Sequence, residues 1–69
     1  MEFKSIKDVE NYYEVLSNET DKEYTVLQGP TELDETYFIV IETGAFHMKR
    51  HLVYISYGDL YDINGNKLN

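Results

Sequence analysis

His47 and His51 stand four residues apart, a spacing that sets two imidazoles on one side of a helix or on one face of a strand, where they could share a metal ion. Lys49 and Arg50 lie between them, and two adjacent cations repel a divalent ion. The chain has no cysteine to complete a zinc framework, and no third ligand lies nearby in sequence. Neither a metal nor any other cofactor is expected. The segment His47-Met48-Lys49-Arg50-His51 is the only basic cluster, and it reads more readily as an exposed strand edge guarded by charge.

Nucleophilic and acid–base chemistry find no better support. Ser56 lies between Ile55 and Tyr57 in an extended run, without the glycine-flanked turn that exposes a nucleophilic serine. Four glycines leave no phosphate-binding or dinucleotide-binding loop. Asp34 and Glu35 adjoin in a polar loop, where nothing nearby gives either carboxyl a reason to leave its ordinary pKa. The run Asp62-Ile63-Asn64-Gly65-Asn66 places oxygens at alternate positions. A calcium loop, however, needs glycine sixth and a bidentate glutamate twelfth, and here glycine is fourth. No catalytic residue is assigned, and the chain is expected not to be an enzyme.

What remains is surface. Thirteen acidic and six basic residues give a net charge of −7, which disfavours direct contact with nucleic acid or an anionic membrane. The carboxylates gather in groups. Asp8, Glu10 and Glu14 belong to the first element, Glu19, Asp21 and Glu23 surround the first turn, and Glu32, Asp34 and Glu35 fall in a second loop. Such a surface can imitate phosphate charge and fill the basic groove of a nucleic-acid-binding protein, with steering to speed the encounter. Its plainer role is to keep a small protein in solution. Seven tyrosines exceed what so small a core buries with every hydroxyl satisfied, so some face outward, and tyrosine is enriched at protein interfaces.

The candidate partner-binding residues are accordingly Glu10, Glu14, Glu19, Asp21, Glu32, Asp34, Glu35 and Tyr12. The expected function is to bind and inhibit another protein without catalysis. In size and charge the chain resembles the small acidic inhibitors encoded by phages and other mobile elements. That resemblance implies a target among restriction, CRISPR or DNA-repair proteins. A homo-oligomeric accessory module is one alternative, and an antitoxin or immunity protein is another.

The elements that must carry these groups follow from periodicity. A chain of 69 residues holds one domain, and its apolar fraction of 42% with ten aromatic residues argues against disorder. Ile6, Val9, Tyr13 and Leu16, widened by Tyr12, form the stripe of an amphipathic helix. Ser5 caps its start and Ser17 and Asn18 end it. Glu23 to Gln28 alternates as a half-buried strand, which Gly29 and Pro30 break, and Thr31 to Glu35 is a loop.

Thr36 to Thr43 is the strongest strand. Tyr37, Ile39 and Ile41 point one way, Phe38 and Val40 the other, so it needs cover on both faces. After Gly44 the alternation changes phase, which predicts a bulge or bend near Arg50 and His51. Asn64-Gly65 suits a two-residue type I′ hairpin with Asp62 opposite Lys67 and Tyr61 opposite Leu68. The expected architecture is α+β: one N-terminal helix on a small antiparallel sheet of three to four strands with a C-terminal hairpin. The start lacks the apolar run of a signal peptide, and no stretch reaches the roughly 20 apolar residues of a membrane span. A cytoplasmic protein is expected.

Overall fold

The computed structural model describes residues 2–32 and 35–69, with the backbone alone at Glu32. Helix α1 (Ile6–Glu19) precedes four strands, β1 (Glu23–Glu32), β2 (Glu35–Thr43), β3 (Met48–Ser56) and β4 (Asp59–Asp62). The strands pair antiparallel in chain order, and α1 packs on one face against β1. The α+β architecture read from the sequence is the one that forms. Among the described residues, no helix is long and apolar enough to cross a membrane.

Local chemistry accounts for α1. Asp8 Oδ2 accepts hydrogen bonds from the Lys4 and Ser5 backbone N–H groups at 2.8 and 3.2 Å, placing a carboxylate at the positive end of the helix. Val9 and Tyr13 are buried, and Ile6, Tyr12 and Leu16 pack beside them. The helix passes the expected stop at Ser17 and Asn18. The Ser17 hydroxyl donates to the Lys22 carbonyl at 2.8 Å, and Thr20 closes the end by donating to the Leu16 carbonyl at 3.0 Å.

The core lies between helix and sheet. Phe3, Val9, Tyr13, Phe38, Val40, Val53 and Leu60 are its buried apolar residues. Phe3 joins it because its N–H donates to the Gly58 carbonyl at 2.8 Å, which ties the N-terminal segment to the β3–β4 turn.

Three sequence expectations change. First, Gly29 and Pro30 do not end β1. The strand continues to Glu32 through a register shift between Gln28 and Thr31, because β1 is an edge strand on which proline owes no outward hydrogen bond. A Cβ on Gly29 would stand 2.7 Å from the Tyr37 carbonyl oxygen, so only glycine lets the two backbones approach this closely. Thr31 and Glu35 are thus strand residues. Second, β3 has no bulge near Arg50 and His51, and its pairing with β2 is regular from Thr36–Ile55 to Thr43–Met48. The phase change arises because residues 48–51 are exposed on both faces of the sheet, so burial selects no alternation there.

Third, the type I′ geometry falls elsewhere. Tyr57 and Gly58 have φ of 48° and 81° and join Ser56 to Asp59, whereas Asn64 does not adopt positive φ. At the tail, Gly65 N–H donates to the Asp62 carbonyl at 3.0 Å and Asp62 N–H to the Asn66 carbonyl at 2.9 Å. With Gly65 at φ 86°, this is a three-residue connection with an extra residue at the glycine. Register moves by one residue, so Tyr61 faces Lys67 and Leu68 packs on the core. The Asp62 carboxylate drives the change, because its Oδ1 accepts from the Asn64 and Asn66 N–H groups, both at 2.9 Å.

Tyr57 is 98% exposed and is the one described non-glycine residue at positive φ. Its side chain contributes no packing to offset the left-handed backbone, which costs an L-residue about 1–2 kcal/mol. Tyr57→Asn should therefore stabilise the chain by about 1 kcal/mol. Thermal unfolding monitored by circular dichroism checks this, with a midpoint several degrees higher as the expected result.

The face of β2 away from α1 keeps Tyr37, Ile39 and Ile41 half-buried. No described element packs over it. Of the covers this second face could take, a loop, the C-terminal segment or another subunit, the described residues supply neither of the first two, because Leu68 and Tyr12 both lie on the helix side.

Candidate functional site

The helix places its carboxylates where the sheet edge adds to them. Glu10 and Glu14 are exposed on α1 and line a cleft of about 500 Å³ with Glu23 at the head of β1. Tyr13, Ser17, Asn18, Tyr24, Thr25 and Val26 complete its lining, so three carboxylates meet there without a cation. Glu19 and Asp21 are exposed at the C-terminal end of α1. No basic residue occupies the last helical turn, although the negative end of the helix dipole favours one. Glu19 thus sits where helix electrostatics opposes it, with no compensating partner among the described ion pairs.

Between these acids the helix shows one outward apolar residue. Val15 is 57% exposed, and it shares a shallow depression with Asn11, Tyr12, Leu16 and Glu19. An apolar centre within a polar, acidic rim is the usual anatomy of a protein contact.

The remaining candidates are not part of this surface. Glu35 accepts a hydrogen bond from the Tyr37 hydroxyl at 2.5 Å and belongs to the sheet face opposite the helix. Asp34 lies outside the described residues, as does the side chain of Glu32. Tyr12 is mainly a strut. Its ring meets Phe3 and Tyr13 edge-on, with centroids 6.0 and 5.0 Å away, and its hydroxyl donates to the Leu68 carbonyl at 3.1 Å. Burial raises its pKa first, with the Tyr24 and Glu19 charges adding to the effect. Tyr13, deeper, is raised further by the same leading cause. Val15 and Glu23 also line this side of the molecule and are not among the candidates read from the sequence. The signal for Val15 was a single apolar residue outside the helix stripe.

The two histidines converge on a carboxylate. Glu42, in β2, is 8% exposed. His47 Nε2 lies 2.9 Å from its Oε2, His51 Nε2 lies 3.2 Å from its Oε1, and Lys22 Nζ lies 3.5 Å from Oε2. The hydrogen bond to His47 lowers the Glu42 pKa most; burial opposes this, His51 and Lys22 reinforce it, and the carboxyl is held at about 2.

A carboxylate so firmly ionised, with both oxygens engaged, is a poor general base. Its work is to join the start of β1, β2, the β2–β3 loop and β3. Among the described residues, no group of three or more histidine and carboxylate side chains is arranged to hold a metal ion. Residues 48–52 of β3 extend past the reach of β4, which makes the basic cluster an exposed edge guarded by charge, as its composition suggests.

A second cleft, of about 540 Å³, opens beside this hub between Tyr12, Tyr13 and Tyr24 on one side and Asp62 and Asn64 on the other. Asp62 is committed to its own turn. The Asn66 N–H chiefly lowers its pKa, with burial opposing and further bonds from the turn adding. This cleft therefore offers neither an unengaged acid–base pair nor a nucleophile. The chain matches no family model, and no curated protein or solved structure proved similar to it.

Proposed function

We propose that this chain is a non-enzymatic protein-binding domain that docks its acidic helix side on a basic surface of another protein. Where that surface is a nucleic-acid-binding groove, docking blocks it, and the domain acts as an inhibitor. The observation that carries this reading is that Glu10, Glu14 and Glu23 line one cleft and Glu19 borders exposed Val15, and that these four and Asp21 stand outside every ion pair among the described residues. Of the six lysine and arginine residues, Lys4 pairs with Glu2, Lys67 with Asp59, and Lys22, with both histidines, surrounds Glu42, while Lys7, Lys49 and Arg50 make no ion pair among the described residues. Acid left uncompensated on one side both steers a basic partner and rejects acidic ones. A partner of this kind and a cysteine-free chain both suit the cytoplasm.

Affinity capture from cells that produce the chain, read by mass spectrometry, tests the proposal. The double variant Glu10→Lys/Glu14→Lys should lose a basic partner that the wild type retains. Glu35→Lys, on the far face, should keep it. A partner set indifferent to the double reversal would remove the reading.

A further inference from the structure

We infer that the open sheet face is the contact surface for a second copy of this chain, packed face to face about a two-fold axis that crosses the strands. The face has two unlike ends. At one end Tyr37, Tyr54 and Tyr61 form a cross-strand ladder, with centroids 5.3 and 5.5 Å apart, beside Glu35. At the other, Arg50 pairs with Ile41 in the sheet register, is exposed, and makes no ion pair among the described residues. Ile39 and Leu52 face each other in the middle.

A two-fold axis through that central pair reverses the rows of one copy against the other. Each Arg50 then lies over the other copy's tyrosine ladder, within reach of its Glu35. A guanidinium on aromatic faces with a carboxylate beside it is a favourable and specific pairing. The apolar middle meets its own image. The face complements itself end to end, and this singles out a copy of the chain over a uniformly basic or acidic partner.

Net charge does not oppose this packing. Sheets pack about 10 Å apart and a helix layer adds about 10 Å on each side, so the two acidic helices stand roughly 30 Å apart. That is several Debye lengths at physiological salt, about 8 Å each. Both helix sides stay outward, which leaves the proposed partner surface unobstructed. The two proposals rest on different faces and differ in their response to salt, because the apolar middle of the sheet contact persists as ionic strength rises while the helix-side contact rests on charge.

Sedimentation velocity of the intact chain tests the inference, with a species of twice the 8.1 kDa chain mass expected at micromolar concentration. Leu52→Asp should give a monomer with unchanged far-ultraviolet circular dichroism. Arg50→Glu and Glu35→Lys should each weaken self-association about tenfold or more, and an equimolar mixture of the two should restore a dimer, since each faces its opposite charge only in the mixed pair. A wild-type chain that stays monomeric at concentrations on the order of 100 μM overturns the proposal, as does a mixture no more dimeric than its components.

Discussion

Phe38→Ala should leave the chain close to its folding threshold, with a loss of about 3–5 kcal/mol. Phe38 is 1% exposed in β2 and belongs to a core of seven buried apolar residues among those described. A domain of 69 residues has a total stability of only about 3–10 kcal/mol on the general scale of stability per residue. One aromatic side chain therefore decides a large share of it. Leu27, on the open face and 44% exposed, supplies the contrast. Leu27→Ala should cost much less, about 1 kcal/mol, because nearly half of the residue already meets water. Urea unfolding of both variants measures the difference, and equal losses would mean that the helix side of the sheet is not the core.

The second large effect is expected at Glu42. Glu42→Gln removes the charge that His47, His51 and Lys22 share, and should cost about 1.5–3 kcal/mol near neutral pH. The direction with pH follows from the lowered pKa. A carboxyl held at about 2 in the folded chain, against an ordinary 4.5, stabilises the fold at pH above 4.5 and loses that contribution as pH falls toward 2. The gap between wild type and Glu42→Gln should therefore narrow steadily between those values. Denaturant midpoints for both proteins at pH 6 and pH 3 check it. A gap that stays constant would mean that the hydrogen bonds alone, and not the ionised form, hold the four segments together.

The parts of the fold that could be read in advance were those where one physical rule acts alone. The stripe from Ile6 to Leu16 follows from one buried face, and the run from Tyr37 to Ile41 follows from aromatic and β-branched residues that suit a strand; both elements form there. The errors occurred where two rules compete. Asn64-Gly65 has the best local sequence for a type I′ turn, but Asp62 offers the following N–H groups a nearby carboxylate and draws the tail into a longer connection. Tyr57 adopts positive φ against its own preference because strand register places the β3–β4 turn on it.

Gly29-Pro30 ends strands in general but not an edge strand with a register shift. The acidic groups were legible as composition, yet their division between two faces was not. Glu35 was grouped with Glu10 and Glu14, and only strand parity places it with the tyrosine ladder. The histidine pair could not have been resolved from spacing, since its shared partner Glu42 lies in another strand and Lys22 precedes a third.

The two proposals together describe a four-layer particle, helix, sheet, sheet and helix, that would offer an acidic face on each outer side. Two such faces would let one particle engage two basic sites, or one extended groove, with the gain of linked binding.

The central claim is that the helix side recognises its partner by charge. The measurement that tests it most directly is the affinity of wild-type chain for its captured partner between 0.1 M and 1 M salt, over which the Debye length falls from about 10 Å to about 3 Å. Affinity should fall by about tenfold or more across that range. An affinity that holds constant from low to high salt would contradict the claim.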